Sequence, residues 1–241
     1  MTREGGGTAR DAAHTRRPHA RTPGERAGLD LDLIVSAARS LGPDEFTMQA
    51  VADRLGVDPK ALRHHVGDRE NLRRLVAMDT FETNFAAVEI AGQGRWEDAC
   101  RAYATGLADS LIATGGLIEY LPLEDPIVTR FLEPTETLLA AFAEAGFTRS
   151  VAQRSLVMLT AVGVTFARDA LRAAREAERP RSRILRELLR SRDPGRYENL
   201  TKISADPIDT YDRSQLDFSI DVFIRGARVL SAAGPETEAR P

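Results

Sequence analysis

From Leu31 onward, apolar residues recur every three or four positions almost without interruption, and no stretch keeps the two-residue alternation of a half-buried strand. The pattern predicts an all-α fold. Helix breaks are expected at Gly42-Pro43, Gly56, Gly67, Gly92 to Gly94, Gly115-Gly116, Pro122, Gly146, Pro180 and Pro194-Gly195. They divide the chain into roughly ten helices, with a mixed segment over 191–212. Residues 1–28 have no apolar period and are rich in Gly, Pro and Arg, the composition of a disordered arm. The expected organisation is that arm, a small domain over 29–76, a larger helical domain over 77–233 and a flexible tail over 234–241.

Within the small domain the stretch VADRLGVDPKALRHHVGD breaks its helical pattern for only a few residues. Thr47 is a good N-cap, and Phe46 with Val51 has the spacing of a hydrophobic staple. The helix that follows ends at Gly56, which tolerates the left-handed backbone of a helix stop. Val57 plugs the corner, Asp58 caps a third helix and Pro59 occupies its first position, where the missing N–H is harmless. Two short helices around a glycine turn form a helix-turn-helix, whose second helix is the one that enters a DNA major groove. A fourth helix capped by Asp68 brings Leu72, Leu75 and Val76 against Ile34, Ala38 and Leu41 to close a three-sided core.

On the third helix Leu62 and Val66 form the inward stripe, which turns Lys60 and His64 outward with Ala61 and Arg63 beside them. Lys60 and Arg63 suit phosphates, Arg63 can also read guanine, and Ala61 can meet a thymine methyl. His64 is placed to reach a base edge or phosphate, whereas His65 is expected to be half-buried and to orient the helix. The two adjacent histidines lack the i, i+3 or i, i+4 spacing that would let a helix chelate a metal. Arg69 follows the Asp68 cap, so its charge and the free N–H groups of that helix start can grip one phosphate together. Arg73 and Arg74 are weaker candidates for the same job.

Charge qualifies this picture. The chain has 33 basic and 36 acidic residues, a formal net charge of −3, so nothing draws it to nucleic acid as a whole. Residues 29–78 are not basic overall either, which makes two reading heads more necessary than one. The lone Cys100 can make neither an internal disulfide nor a zinc site, as suits a reducing compartment, and a cytoplasmic location is expected. No membrane span, secretory signal, metal site or cofactor site is expected. There is no nucleophile elbow, phosphate-binding glycine loop, His-Glu-x-x-His or Cys-x-x-Cys, and so no sign of an enzyme.

The stretch FTMQAVADRLGVDPKALRHHVGDRENLRRL resembles the DNA-binding domain of the tetracycline-repressor (TetR) family. It matches the family pattern at Thr47, Ala52, Leu55, Gly56, Val57, Leu62, His65, Val66, Arg69 and Leu72. It departs at Arg63, where the family usually has a backbone-contacting tyrosine, and at Asp58 and Ala61, where small hydroxyl residues are usual. The resemblance implies a dimeric, ligand-responsive transcriptional repressor. Its DNA-binding residues would be Thr47, Gln49, Lys60, Ala61, Arg63, His64 and Arg69, and its partners double-stranded DNA on a near-palindromic site and a small effector. The alternative is a helical ligand- or partner-binding protein whose helix-turn-helix is only structural.

In the larger domain SLVMLTAVGVTFA, residues 155–167, is apolar on every helical face, so partners are expected all round it, with Gly163 permitting close approach. Trp96, Cys100, Tyr103, Leu107 and Leu111 form one stripe. Phe131, Thr135, Leu138 and Phe142 form another, where Pro134 is expected to kink the helix. With Met158 and Val162 these stripes are candidate walls of a pocket for a small, largely apolar effector, with Tyr103 and Thr135 as polar handles. The segment RSQLDFSIDVFIRGARVL looks like the family's terminal dimerisation helix. On that resemblance Leu216, Ile220, Phe223, Ala227 and Leu230 are the expected dimer interface, and Phe218 and Val222 form a second stripe. The charged run 168–192 reads as a solvated amphipathic helix.

Overall fold

The computed structural model describes residues 29–41, 47–90, 94–121 and 132–232. Phe46, Phe131, the arm over 1–28 and the tail over 234–241 lie outside the described residues. Those described form ten α-helices and one 3-10 helix: α1 (Leu31–Arg39), α2 (Met48–Leu55), α3 (Pro59–Val66), α4 (Arg69–Ala86), α5 (Trp96–Ala113), the 3-10 turn Gly115–Tyr120, α6 (Leu132–Glu144), α7 (Arg149–Ala174), α8 (Pro180–Leu189), α9 (Glu198–Ala205) and α10 (Arg213–Ala232). No strand occurs among them.

The helix starts follow the capping chemistry. Asp30, Thr47, Asp58, Asp68 and Thr148 each accept a hydrogen bond from a first-turn N–H, satisfying a donor that the helix itself leaves free. Gly56 and Gly67, at φ 66° and 73°, end α2 and α3 in the left-handed region. The breaks expected at Gly94, Gly115, Gly146 and Pro180 are also in place. Pro134 differs from expectation. It sits in the first turn of α6, where a proline needs no hydrogen bond, and it is buried without interrupting the helix.

The head, α1 to α3 with the start of α4, closes over Ile34, Ala38, Val51, Ala52, Leu62, Val66, Leu72 and Val76, all fully buried. Leu41 and Leu75 are half-buried at its edge. α4 continues out of the head and packs on α5 and the 3-10 turn, so one apolar core runs through both parts. In the body α5 is the central helix, flanked by α4, α6, α7 and α10.

α5 and α7 are held close by Gly163, where an added Cβ would come within 3.1 Å of Leu107 Cδ2 and 3.2 Å of the Ala104 carbonyl oxygen. α7 is not enclosed on all sides, as its composition suggests. Ser155, Leu159, Gly163 and Ala167 face the core, while Val157, Met158, Ala161 and Thr165 are exposed. The expectation that nothing reaches spanning length also fails here, for α7 is long and apolar enough to cross a membrane by length and composition. Its inward side packs against α5, α6 and α10 in a helical bundle.

Candidate nucleic-acid interface

The angle between α2 and α3 is set by a few residues. Leu55 and Val57 pack at the corner, and the Val57 N–H donates to the Ala52 carbonyl at 3.0 Å, so the turn leaves little backbone unpaired. Beyond Gly67, the Asn71 side chain donates to the Val66 carbonyl at 2.9 Å. This bond ties the free end of α3 to α4. Asn71 is a positioning residue that the sequence reading missed, because its partner is a backbone atom across a turn rather than a patterned side chain.

With Leu62 and Val66 sunk into the core, α3 turns its opposite surface to solvent. Lys60, Ala61, Arg63 and His64 are exposed there, around a shallow concavity bounded also by Asp58 and His65. Lys60, Arg63 and Arg69 have no ion-pair partner among the described residues, leaving two uncommitted cations on α3 and one at the start of α4. His65 corrects the expectation made for it. It is exposed, its ring edge-on to that of His64 at 5.9 Å and 83°, because α1, α2 and α4 cover only the Leu62–Val66 side of this short helix.

The remaining candidates are partly committed. Thr47 Oγ1 accepts from the Ala50 N–H at 3.1 Å as the α2 cap, and its own hydroxyl proton stays available. Gln49 donates to Asp53 at 2.7 Å along the exposed face of α2. Arg74 donates to Asn71 Oδ1 at 2.9 Å. Arg73 is turned away from this surface altogether. Its guanidinium donates to the Tyr120 hydroxyl at 2.8 Å and lies 5.5 Å from that ring's centroid. A side chain read from sequence as a possible phosphate contact is instead a bond between the head and the 3-10 turn.

The expected effector walls fall in two places. Cys100, Tyr103, Leu107 and Leu138 are buried in the core. The Tyr103 hydroxyl shares a hydrogen bond with Thr160 at 3.2 Å. Trp96 packs on Phe147 and Phe142, with centroids at 5.0 and 6.1 Å. Thr135 is half-buried on α6. Burial, with the charge of Glu97 adding to it, pushes the Cys100 thiol up to about 12, so it remains a protonated packing group.

Met158 and Val162 belong to a different place, an open groove of about 530 Å³ between α7, the start of α8 and α10. Its apolar floor is Met158, Ala161, Val162 and Phe166, and Asp169, Arg181, Thr210, Gln215 and Ser219 form its polar side. The sequence reading grouped Met158 and Val162 with the α5 and α6 stripes as walls of one pocket. The rotation of α7, fixed at Gly163, carries them to the outer side.

The expected dimer stripe is also redirected. Leu216, Ile220, Phe223 and Ala227 are buried in the chain's own core, because they are the residues of α10 that meet α5 and α7. Leu230 alone of that set is exposed, and it joins Phe218, Val222 and Val229 on the outer surface. The open apolar face of α10 is therefore the second stripe. Near its end Arg228 donates to Glu97 at 2.9 and 3.0 Å. Burial works to raise the Glu97 carboxyl, but the hydrogen bonds from Arg95 and Arg228 outweigh it and hold the group below its ordinary value.

No protein-family model and no curated protein matches the sequence. Solved structures do match. The TetR family protein ActR of Streptomyces coelicolor, in complex with (S)-DNPA, is 21% identical, with a TM-score of 0.65 over 86% of this chain and 100% of that one. Another TetR transcriptional regulator of Streptomyces coelicolor is 23% identical, with a TM-score of 0.62 over 84% and 99%. A TetR variant from Acinetobacter baumannii in complex with minocycline is 17% identical, with a TM-score of 0.58 over 84% and 98%. With its capped helix-turn-helix, connecting α4 and helical body matched over nearly the full length of these proteins, the chain has the fold of the TetR-family transcriptional regulators.

Proposed function

We propose that the protein is a dimeric, ligand-responsive transcriptional regulator that binds a near-palindromic DNA site through α3. The observation that carries this reading is the outer side of the head. Lys60 and Arg63 on α3 and Arg69 at the start of α4 are exposed and unpaired, and Asp68 caps α4 through the Asn71 N–H. Exposed cations and a helix N-terminus suit a phosphate backbone, and Ala61 and His64 beside them suit base edges.

Dimerisation follows from the apolar surface left open on α7 and α10. Val157 and Met158 on α7, and Phe218, Val222, Val229 and Leu230 on α10, are all exposed, a patch that one chain in water does not favour. Gly226 lies on the same outer side of α10, with nothing within 4 Å of an added Cβ. A glycine there weakens the helix by about 1 kcal/mol relative to alanine, and it leaves room for another helix to come close. Reading both halves of a near-palindromic site requires the two α3 helices of such a pair to lie about 34 to 36 Å apart, one DNA turn.

The effector in this reading is small and largely apolar, received by the groove over Met158, Val162 and Phe166 with Arg181, Thr210 and Gln215 as polar handles. That groove opens beside the proposed seam, so a ligand that prefers one dimer geometry shifts the spacing of the heads and the affinity for DNA.

The test is selection of genomic DNA fragments on the full chain, followed by a salt series on the enriched duplex. Enrichment of a two-fold site, with affinity falling steeply as salt rises, is expected. No enriched site and a flat salt response would leave a helical ligand- or partner-binding protein whose helix-turn-helix is only structural.

A further inference from the structure

Of the four histidines in the chain, His14 and His19 lie outside the described residues, and the other two, His64 and His65, are neighbours on α3. Imidazole is the side chain whose charge ordinarily changes between about pH 5 and 8. The one thiol that could add to that change, Cys100, is pushed up to about 12 by burial and takes no part. Among the described side chains, the charge that responds to pH near neutrality is therefore gathered on the helix proposed to read DNA.

The surroundings leave that charge free to act outward. Both rings are exposed in the last turn of α3, edge-on to each other with centroids 5.9 Å apart. Neither forms an ion pair among the described residues. The concavity beside them is bounded, besides the histidines, by Asp58, Lys60, Ala61 and Arg63, all from α3 and its cap. Asp58 is the one carboxylate there, and its Oδ1 already accepts from the Lys60 N–H at 2.7 Å.

α1, α2 and α4 pack against α3, and none of their charged groups borders the concavity. On α1, Arg39 pairs with Asp79, and Asp32 is exposed in the first turn. On α2, Asp53 accepts from Gln49, and Arg54 is exposed in the last turn. On α4, Arg73 and Arg74 are bonded to Tyr120 and Asn71, which leaves Arg69 and Glu70 exposed at its start. No anion of the protein is paired with a charged imidazole on α3. A DNA phosphate backbone supplies one.

We infer that the His64–His65 pair makes DNA binding proton-linked, so that the protein grips its site more tightly as pH falls through the histidine range. The inference deepens the DNA-binding reading given above and rests on it. A protonated imidazole donates from both ring nitrogens and adds a positive charge beside Lys60 and Arg63, so a polyanion prefers it to the neutral ring. In water, repulsion across 5.9 Å makes the second proton only about threefold harder to add, and phosphates of opposite sign offset that. Because the duplex favours the charged form, the added affinity is complete at low pH and is lost as pH rises through the value that the histidines take in the complex.

The experiment uses the full chain and the selected duplex at constant salt. Fluorescence anisotropy should show wild-type affinity rising about tenfold or more from pH 8 to pH 6, a window in which ordinary carboxylates stay ionised. His64→Gln with His65→Gln, at two exposed positions, should keep its circular-dichroism spectrum and change affinity by less than about twofold over the same window. The wild-type salt slope should be steeper at pH 6 than at pH 8 by up to about 3.6, from four imidazolium contacts per dimer. As a second measurement that needs no variant, calorimetry at pH 6.5 in two buffers of different ionisation enthalpy should count at least one proton taken up per dimer bound.

Site-specific binding with a flat pH response and no proton uptake overturns the inference and leaves the regulator standing. A pH response kept in the double variant but lost in His14→Gln with His19→Gln overturns it by assigning the protons to residues 1–28. A chain that binds no duplex at any pH or salt overturns the DNA-binding reading and the inference with it.

Discussion

Substituting Arg63 by glutamine separates phosphate contact from every other role of α3. Arg63 is exposed and has no ion-pair partner among the described residues, and its neighbours Leu62 and Val66 hold the helix in the core. Removing the charge should therefore leave fold and dimer intact. If Lys60, Arg63 and Arg69 of both copies each neutralise one phosphate, six contacts give a log–log slope of affinity against salt of about −5.4. The variant loses two contacts, and its slope should flatten to about −3.6. Between 50 and 200 mM salt, wild-type affinity then falls by about 10³-fold and the variant's by about 10²-fold. Fluorescence anisotropy on the selected duplex, with dimerisation checked by sedimentation, measures both. Parallel salt lines would refute the phosphate assignment, and joint loss of dimer and DNA binding would make Arg63 a structural residue.

Arg73 should behave in the opposite way. Because it bonds to Tyr120, Arg73→Gln and Tyr120→Phe should change DNA affinity without changing the salt slope; a slope flattened by about two would return Arg73 to the phosphate backbone. Phe218→Asp with Val222→Asp should give a monomer with an unchanged circular-dichroism spectrum and strongly reduced DNA affinity, and a persistent dimer would place the seam elsewhere. Gly163→Ala should destabilise the chain by about 1 to 3 kcal/mol in urea unfolding, since the new methyl meets Leu107 and the Ala104 carbonyl. Glu97 is held below its ordinary value in the fold, so its contribution is complete above the ordinary carboxylate range and disappears as pH falls through the depressed value. Glu97→Gln should therefore lower stability at neutral pH by about 1 kcal/mol, given that its arginine partners are largely exposed. It should also flatten the acid limb of a stability–pH curve.

The head was legible because its determinants are local. Thr47, Asp58 and Asp68 cap the helices they precede, Gly56 and Gly67 stop the helices they follow, and Leu62 and Val66 decide which side of α3 faces out. The body was legible only as helices. Which stripe of α10 meets its own chain depends on how α5 and α7 are rotated, and Leu216 and Phe218 are equally apolar in sequence. The same rotation buries Cys100 and Leu107 in the core and carries Met158 outward. Arg73 escaped for a related reason, since Tyr120 lies 47 positions away and no periodicity couples them.

The close crossing at Gly163 governs how motion can travel. With no side chain between them, α5 and α7 have no cushion that could compress, and any sliding would drive the Ala104 carbonyl into α7. The two helices should move as one strut. A disturbance on the outer flank of α7 would then reach the far side of the body, where α5 supports α4, undiminished by the packing between.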